Sequence, residues 1–248
     1  MSTATLDPAA LGASIKPMLE VRDLNAWYGE SHVLHGVDLE LGEGQLITLL
    51  GRNGAGRTTT LRAIMGMVDR RTGSIKINGE EFITKQAHRI SPDGRIGYCP
   101  EERGIFGTLN AEENLMLPPA VGPDGLSLEE LYSMFPNLAK VRKRMGTRLS
   151  GGEQQMLAIA RILRTGARLL LLDEITEGLA PVIVKTLGTV IRDLKTRGYT
   201  IVLVEQNFRF ASTLADHHYV IEHGKVIDRI DAAEVETSMD RLNKYLSV

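Results

Sequence analysis

The stretch LLGRNGAGRTTTL, residues 49–61, decides how the rest of the chain is read. It follows the G-x-x-x-x-G-K-T spacing of a phosphate-cradling loop, with Gly51, Gly56 and Thr58 in place and Arg57 in the lysine position. Leu46, Ile47, Leu49 and Leu50 form a short apolar run into Gly51, and residues 58–65 read as a helix. Strand, loop and helix therefore arrive in the order a cradle needs. Gly51, Gly54 and Gly56, with Asn53 and Ala55 among them, let the backbone come close to an anion. The N–H groups of the loop and of the first helical turn, through Thr58 and Thr59, then point at phosphate oxygens along the helix dipole. Thr58 also carries the hydroxyl that such a loop offers to Mg²⁺. Taken alone, the stretch fits equally a glycine-rich turn between a strand and a helix, so the remainder of the chain must decide.

The bulk properties narrow the class. A chain of 248 residues can bury a full core, as one large domain or one domain with an insert. With 29 Lys and Arg against 31 Asp and Glu, the net charge of -2 provides no global field toward nucleic acid. Cys99 is the single cysteine, which excludes an internal disulfide framework, suits a reducing compartment and reads as a small buried residue. No stretch approaches the ~20 apolar residues that span a bilayer. Residues 1–18 lack the basic head and apolar core of a secretory signal, and Pro8, Gly12 and Pro17 interrupt any helix, so they read as a flexible tail.

From Leu19 the sequence alternates in the period-two pattern of strands facing a core on one side, and GSIKINGE (residues 73–80) adds a strand ended by an Asn-Gly turn. These strands predict an antiparallel edge beside the strand that leads into Gly51. Residues 108–148 turn acidic and helical, with LNAEENLML and LSLEELYSMF separated by a loop over 118–125. RLLLLDE, a helix over 181–197 and YTIVLVEQ then alternate as continuous apolar strands and helices, the mark of a parallel sheet covered on both faces. HHYVIEHGKVIDRID reads as a closing hairpin and residues 232–248 as a C-terminal helix. His217 and His218, adjacent in sequence, point apart and do not form a metal site.

Two further stretches bear on chemistry. In LSGGEQQMLAIARIL, Ser150 caps a helix whose first turn holds Gly151, Gly152 and Glu153, a second start at which an anion can dock. Residues 168–174 then place Asp173 and Glu174 at the carboxyl end of a buried strand, where such sheets bind ligands. Asp173 suits Mg²⁺ coordination through water, and Glu174 suits general-base activation of an attacking water.

LSGGEQQ directly before LLLLDE, downstream of the phosphate loop, resembles the ATP-binding cassette (ABC) superfamily from about Leu19 to the end. DEITEGLAP, CPEERGIF and VEQN resemble the ATP-binding subunits of branched-chain and hydrophobic amino acid importers. The resemblance implies an α/β P-loop NTPase with a parallel core sheet, an antiparallel β edge subdomain and an inserted α-helical subdomain. It places the ATP-binding domain over 19–248 and the helical subdomain over about 103–160. It implies ATP and Mg²⁺ as bound groups, with Tyr28 stacking on adenine, Thr58, Glu101 and Asp173 serving the metal, and Gln206 standing where most cassettes have a histidine that contacts the γ-phosphate. Gly178 and Leu179 fall in the loop that meets an opposing subunit. The implied assembly is two cassettes, homodimeric or paired with a related chain, each ATP lying between the P-loop of one and Ser150, Gly151 and Gly152 of the other. Transmembrane permease subunits, an indirectly coupled periplasmic binding protein and a peripheral place on the cytoplasmic face of the inner membrane complete the implied setting. Nucleic acid is not an implied partner.

Two positions depart from the family pattern. Ile175 replaces a proline after the paired carboxylates, a mild change because proline there mainly stiffens a loop. Arg57 is the larger departure. Lysine is a compact ammonium, whereas guanidinium is planar and fixed in its fork, so nucleotide binding is expected to persist and hydrolysis to fall. A nucleotide-binding or regulatory cassette with impaired hydrolysis therefore stands beside the importer ATPase as a second reading.

Overall fold

The computed structural model describes residues 16–246. Most of the expected 1–18 tail lies outside the described residues, and the first strand already begins at Pro17. The chain opens with β1 (Pro17–Tyr28), β2 (Ser31–Gly42) and β3 (Leu46–Leu50), followed by α1 (Arg57–Ile64), β4 (Arg70–Ile77), β5 (Glu80–Glu81), α2 (Ala87–Gly94) and β6 (Ile96–Cys99). A helical stretch follows: α3 (Ala111–Met116), α4 (Leu128–Met134), α5 (Pro136–Val141) and α6 (Gly151–Arg164). Then come β7 (Leu169–Asp173), α7 (Pro181–Thr196), β8 (Thr200–Val204), α8 (Phe208–Ala211), β9 (His217–Glu222), β10 (Lys225–Asp231) and α9 (Met239–Leu246).

The strands form separate sheets, with orders β2-β1-β4-β5 and β10-β9-β3-β8-β7-β6. The first is antiparallel throughout. In the second, β9, β3, β8, β7 and β6 run parallel and β10 pairs antiparallel at the edge. The predicted antiparallel strands are present, but they do not lie beside β3, whose neighbours are β8 and β9. They stack over the parallel sheet instead, because β3 is apolar on both faces and needs a covering layer on each.

Strand alternation divides the core. Ile47, Leu49, Leu169, Leu171, Val202 and Val204 face α1 and the antiparallel sheet, packing with Leu19, Val21 and Leu61. The intervening Leu46, Leu170, Leu172, Ile201 and Leu203 face the opposite side, against Leu157 and Ile159 of α6 and Leu187 and Ile191 of α7. Leu115, Leu131, Phe135 and Leu138 of the helical stretch belong to that same cluster, so α3 to α5 share the core of α6 and α7. The short α3 and α4 are fixed by capping boxes, Asn110 with Glu113 and Ser127 with Glu130, which satisfy orphan N–H groups that six- and seven-residue helices cannot bury.

β6 escapes the sequence pattern because it is only four residues long and interrupted by Gly97. A Cβ at Gly97 would lie 2.9 Å from Ile162 Cβ and 3.1 Å from Ala167 Cβ, so the glycine lets α6 lie on the strand. At the C-terminus the helix is shorter than expected. Residues 232–234 form a 3₁₀ turn, and a regular helix begins at Met239. The Thr237 hydroxyl donates to the Glu234 carbonyl, a local bond that competes with helix propagation.

His218 lies inside this fold, fully buried on β9, with Nδ1 sharing a 2.5 Å hydrogen bond with the Thr48 hydroxyl of β3. Burial, and then the neighbouring His217, push its pKa down to about 4. The unfolded chain therefore takes up a proton on acidification that the folded chain refuses, so stability falls as pH drops from the ordinary histidine range toward that value. Between pH 7 and pH 5 this amounts to about 2 kcal/mol. Urea denaturation at the two pH values should show His218→Gln losing less stability than the parent; equal losses would refute the assignment.

Candidate functional site

Gly51 leaves β3 at φ 150°, where an added Cβ would lie 2.2 Å from the Ile221 carbonyl oxygen of β9. Gly56, at φ 109°, is the N-cap of α1 and offers no side chain to the helix start. Unlike α3, α4 and α6, α1 thus keeps its first N–H groups without a side-chain cap, available to an anion. A cavity of about 460 Å³ opens in front of this turn. Asn53, Gly54, Ala55, Gly56, Arg57, Thr58 and Thr59 line one wall, and Tyr28 and Val33 of the antiparallel sheet line another. Glu101, Glu174, Glu177 and Gln206 complete it.

The paired carboxylates of the sequence take different environments. Asp173 ends β7 with no exposed surface; its Oδ1 accepts from the Thr58 hydroxyl at 3.1 Å and its Oδ2 from the Tyr98 hydroxyl at 3.3 Å. Burial pushes its pKa up to about 6, against the Thr58 hydrogen bond and with the charge of Glu174 adding to the rise. Its partners are hydroxyls, and among the described residues it makes no ion pair. A buried carboxylate bonded to a threonine that lines the cavity is an all-oxygen donor set that fits a hard divalent cation. Glu101 lines the same cavity, and its carboxylate, with those of Glu174 and Glu177, falls in a group whose oxygens lie within 4.8 Å of one another.

Glu174 follows the strand with φ 47°, a left-handed conformation held by its N–H bonding to Val204 O at 2.9 Å. This turn aims its side chain along the strand ends. Oε2 accepts from Gln206 Nε2 at 2.9 Å, so the two residues assigned to catalysis from sequence meet directly. Oε1 accepts from Arg57 Nη2 at 2.8 Å in an ion pair whose side chains are 4% and 10% exposed. Arg57 Nη2 also reaches Asn53 Oδ1 at 3.3 Å, while its Nη1 is buried without a hydrogen-bond partner among the described residues.

Ser150, Gly151, Gly152 and Glu153 stand apart from this cavity. The Ser150 hydroxyl accepts from Glu153 N and the Glu153 carboxylate accepts from Ser150 N, a closed capping box. Gly152 has a packing role as well: a Cβ there would lie 3.0 Å from Ile183 Cγ1 of α7. Cys99 is buried, and desolvation pushes its thiol up to about 12, so it behaves as a small core residue.

Sequence reading missed several supports. Tyr98 reaches Asp173 from β6. Glu205 is buried at the end of β8, where its carboxylate accepts from Thr176 N at 3.1 Å and Thr176 Oγ1 at 2.7 Å; burial pushes its pKa up to about 7 despite those bonds. It ties the loop after Glu174 to the neighbouring strand. Arg103, with φ 62°, donates from Nε to Gln155 and from Nη1 to Gln154, joining the loop after Glu101 to α6. An acid after an apolar strand and an arginine between turn residues were the available signals.

Comparison with known proteins agrees with this geometry. Residues 34–177 match the family model described as ABC transporter. The chain is 37% identical over 233 residues to the high-affinity branched-chain amino acid transport ATP-binding protein BraG of Pseudomonas aeruginosa, covering 92% of this chain and 99% of that one. It is 35% identical over 215 residues to the probable branched-chain amino acid transport ATP-binding protein LivF of Archaeoglobus fulgidus, covering 84% and 90%. In fold it superposes with a TM-score of 0.75, at 23% identity over 87% of this chain and 99% of the other, on a dimeric post-hydrolysis ATP-binding cassette bound to ADP and Pi. The uncapped start of α1, the buried Asp173 with Thr58, and Glu174 with Gln206 thus sit in a chain that belongs to the ABC transporter family.

Proposed function

We propose that this chain is the ATP-binding subunit of an importer, coupling ATP binding and hydrolysis to uptake of branched-chain amino acids or a related small polar solute. The enzymatic part rests on one observation: the uncapped helix start, Thr58 and the Glu174–Gln206 pair line a single cavity, with the buried Asp173 bonded to the Thr58 hydroxyl. The solute class rests on the likeness to BraG and LivF. No helix among the described residues is long and apolar enough to cross a membrane. We assign the translocation path to separate permease subunits, the chain lying peripherally on the cytoplasmic face of the inner membrane, with a periplasmic binding protein acting upstream of the permease.

In this reading the N–H groups of Gly54 and of residues 56–58 hold the phosphates and Tyr28 stacks on adenine. Thr58 and Asp173, with Glu101, hold Mg²⁺, which neutralises phosphate charge when bound. Glu174, oriented by Gln206, accepts the proton of the attacking water. Ser150, Gly151 and Gly152 of a second cassette close the site, a start already organised by its capping box in the free chain. Sedimentation of the Glu174→Gln chain under saturating Mg-ATP should show a dimer; a monomer throughout would count against the two-cassette site.

The permease is assigned to the surface beside the helical stretch. Phe106, Met116 and Leu117 are each about half exposed there, and a cavity of about 720 Å³ lies between Phe106, Leu117 and Pro118 on one side and His88 and Tyr98 on the other. Exposed apolar side chains grouped in this way mark an interaction surface. Phe106→Glu should abolish co-purification with permease subunits and leave ATP affinity unchanged; assembly at the parent level would remove this surface from consideration.

A second reading, a cassette that binds ATP and hydrolyses it slowly, is favoured by Arg57. Its planar cation occupies the lysine position and is engaged by Glu174. Misplacing one transition-state contact costs on the order of a hundredfold in rate. Arg57→Lys should therefore raise the ATPase rate about a hundredfold with a small change in ATP affinity. Equal rates for the two chains would dismiss this second reading and leave the importer ATPase standing.

A further inference from the structure

The Arg57–Glu174 pair joins ends of the sheet that are not neighbours. Arg57 is the first residue of α1, reached from β3 through the glycine loop, and Glu174 follows β7; β8 lies between them and leads on to Gln206. Both ends are fixed. Arg57 is 4% exposed and held by Asn53 as well, and Glu174 is set by its left-handed backbone and its N–H bond to Val204. The carboxylate is gripped on each oxygen, by Arg57 on Oε1 and by Gln206 on Oε2.

The guanidinium is only half used. Nη2 serves Glu174, while Nη1 is buried and without a partner among the described residues, although the residue lines the phosphate cavity. A buried donor left unmade is costly, so this one awaits an acceptor. Guanidinium pairs best with an anion through two parallel N–H bonds. Nη2 has two N–H groups, spent on Glu174 at 2.8 Å and on Asn53 at 3.3 Å, so a phosphate on the Nη1 and Nη2 edge must displace one of these acceptors, and the anionic Glu174 is the one that phosphate charge repels. A lysine ammonium, a flexible point charge, can turn between anions without surrendering a fixed edge.

We infer that Arg57 is a positioning residue that makes Glu174 and nucleotide phosphate competitors for one cation: the carboxylate is latched onto the guanidinium until phosphate displaces it. Resting on the reading that the cavity takes nucleotide phosphates, this adds a mechanism to the effect of Arg57. The chain carries its own anionic competitor, so its nucleotide affinity is lower than its loop alone would give, and Glu174 is released to water only when phosphate is in place.

The test is a double-mutant cycle on Mg-free ADP affinity, measured by calorimetry for the parent, Glu174→Gln, Arg57→Lys and the double variant, each shown monomeric by sedimentation. Coupling between close opposite charges is commonly large enough to move affinity about tenfold or more. Glu174→Gln should tighten ADP about tenfold in the Arg57 chain and less than twofold in the Arg57→Lys chain. Glu174→Asp, which keeps the charge and shortens the reach, should give an intermediate gain, and it replaces Glu174→Gln in the cycle if that variant does not fold. Equal factors in the two backgrounds, including no change in either, would overturn the latch while leaving nucleotide binding intact. Failure of all four chains to bind ADP or ATP would overturn the functional reading and the latch with it.

Discussion

The site exists where it does because β3, β7 and β8 are each five residues long and buried on both faces. Such strands have almost no place for a charged side chain along their length, since an unpaired buried charge costs far more than the strand's burial returns. Charge collects where the sheet ends. Asp173 is the last residue of β7, Glu205 the first after β8, and Gly51 the first after β3. Parallel pairing brings all of these to one edge, and the glycine turn into α1 puts the positive end of a helix opposite the carboxylates.

Much of this was legible from sequence because it is local. Residues 46–58 declare strand, turn and helix within thirteen positions, and RLLLLDE declares a buried strand with acids at its end. Ser150 and the glycines after it likewise announce a capped helix start. The relations between these pieces were not legible. Arg57 and Glu174 are separated by 117 positions, and nothing in either neighbourhood says that their side chains touch. The antiparallel strands carry the right alternation, but alternation fixes only which residues face a core, and leaves open whether a strand extends β3's sheet or stacks upon it. Gly152 read as part of an anion-docking helix start and Gly97 carried no signal, whereas the space at each is filled by a side chain of α7 or α6 that arrives from elsewhere in the chain.

Beside Asp173 and Glu174, a further acid is buried at the same end of the sheet. Glu205 makes no ion pair among the described residues and is held by Thr176, which stiffens the segment around Ile175, itself fully buried where a proline would be expected. Rigidity that a proline ring would lend the backbone is supplied here by a carboxylate accepting two hydrogen bonds and by an apolar anchor. The backbone after Glu174 is thereby held by residues that do not bond to its carboxylate.

The hairpin turn between β9 and β10 occupies an unusual place. Gly224 donates its N–H to Ala55 O and accepts at its own carbonyl from His35 N, both at 2.8 Å, and a Cβ on it would lie 2.0 Å from Val33 O. The turn is wedged between the phosphate loop and β2. Tight turns are ordinarily where a lineage tolerates insertions and drift. This one is a keystone between the sheets: lengthening it at residues 223–224 would push the phosphate loop away from β2.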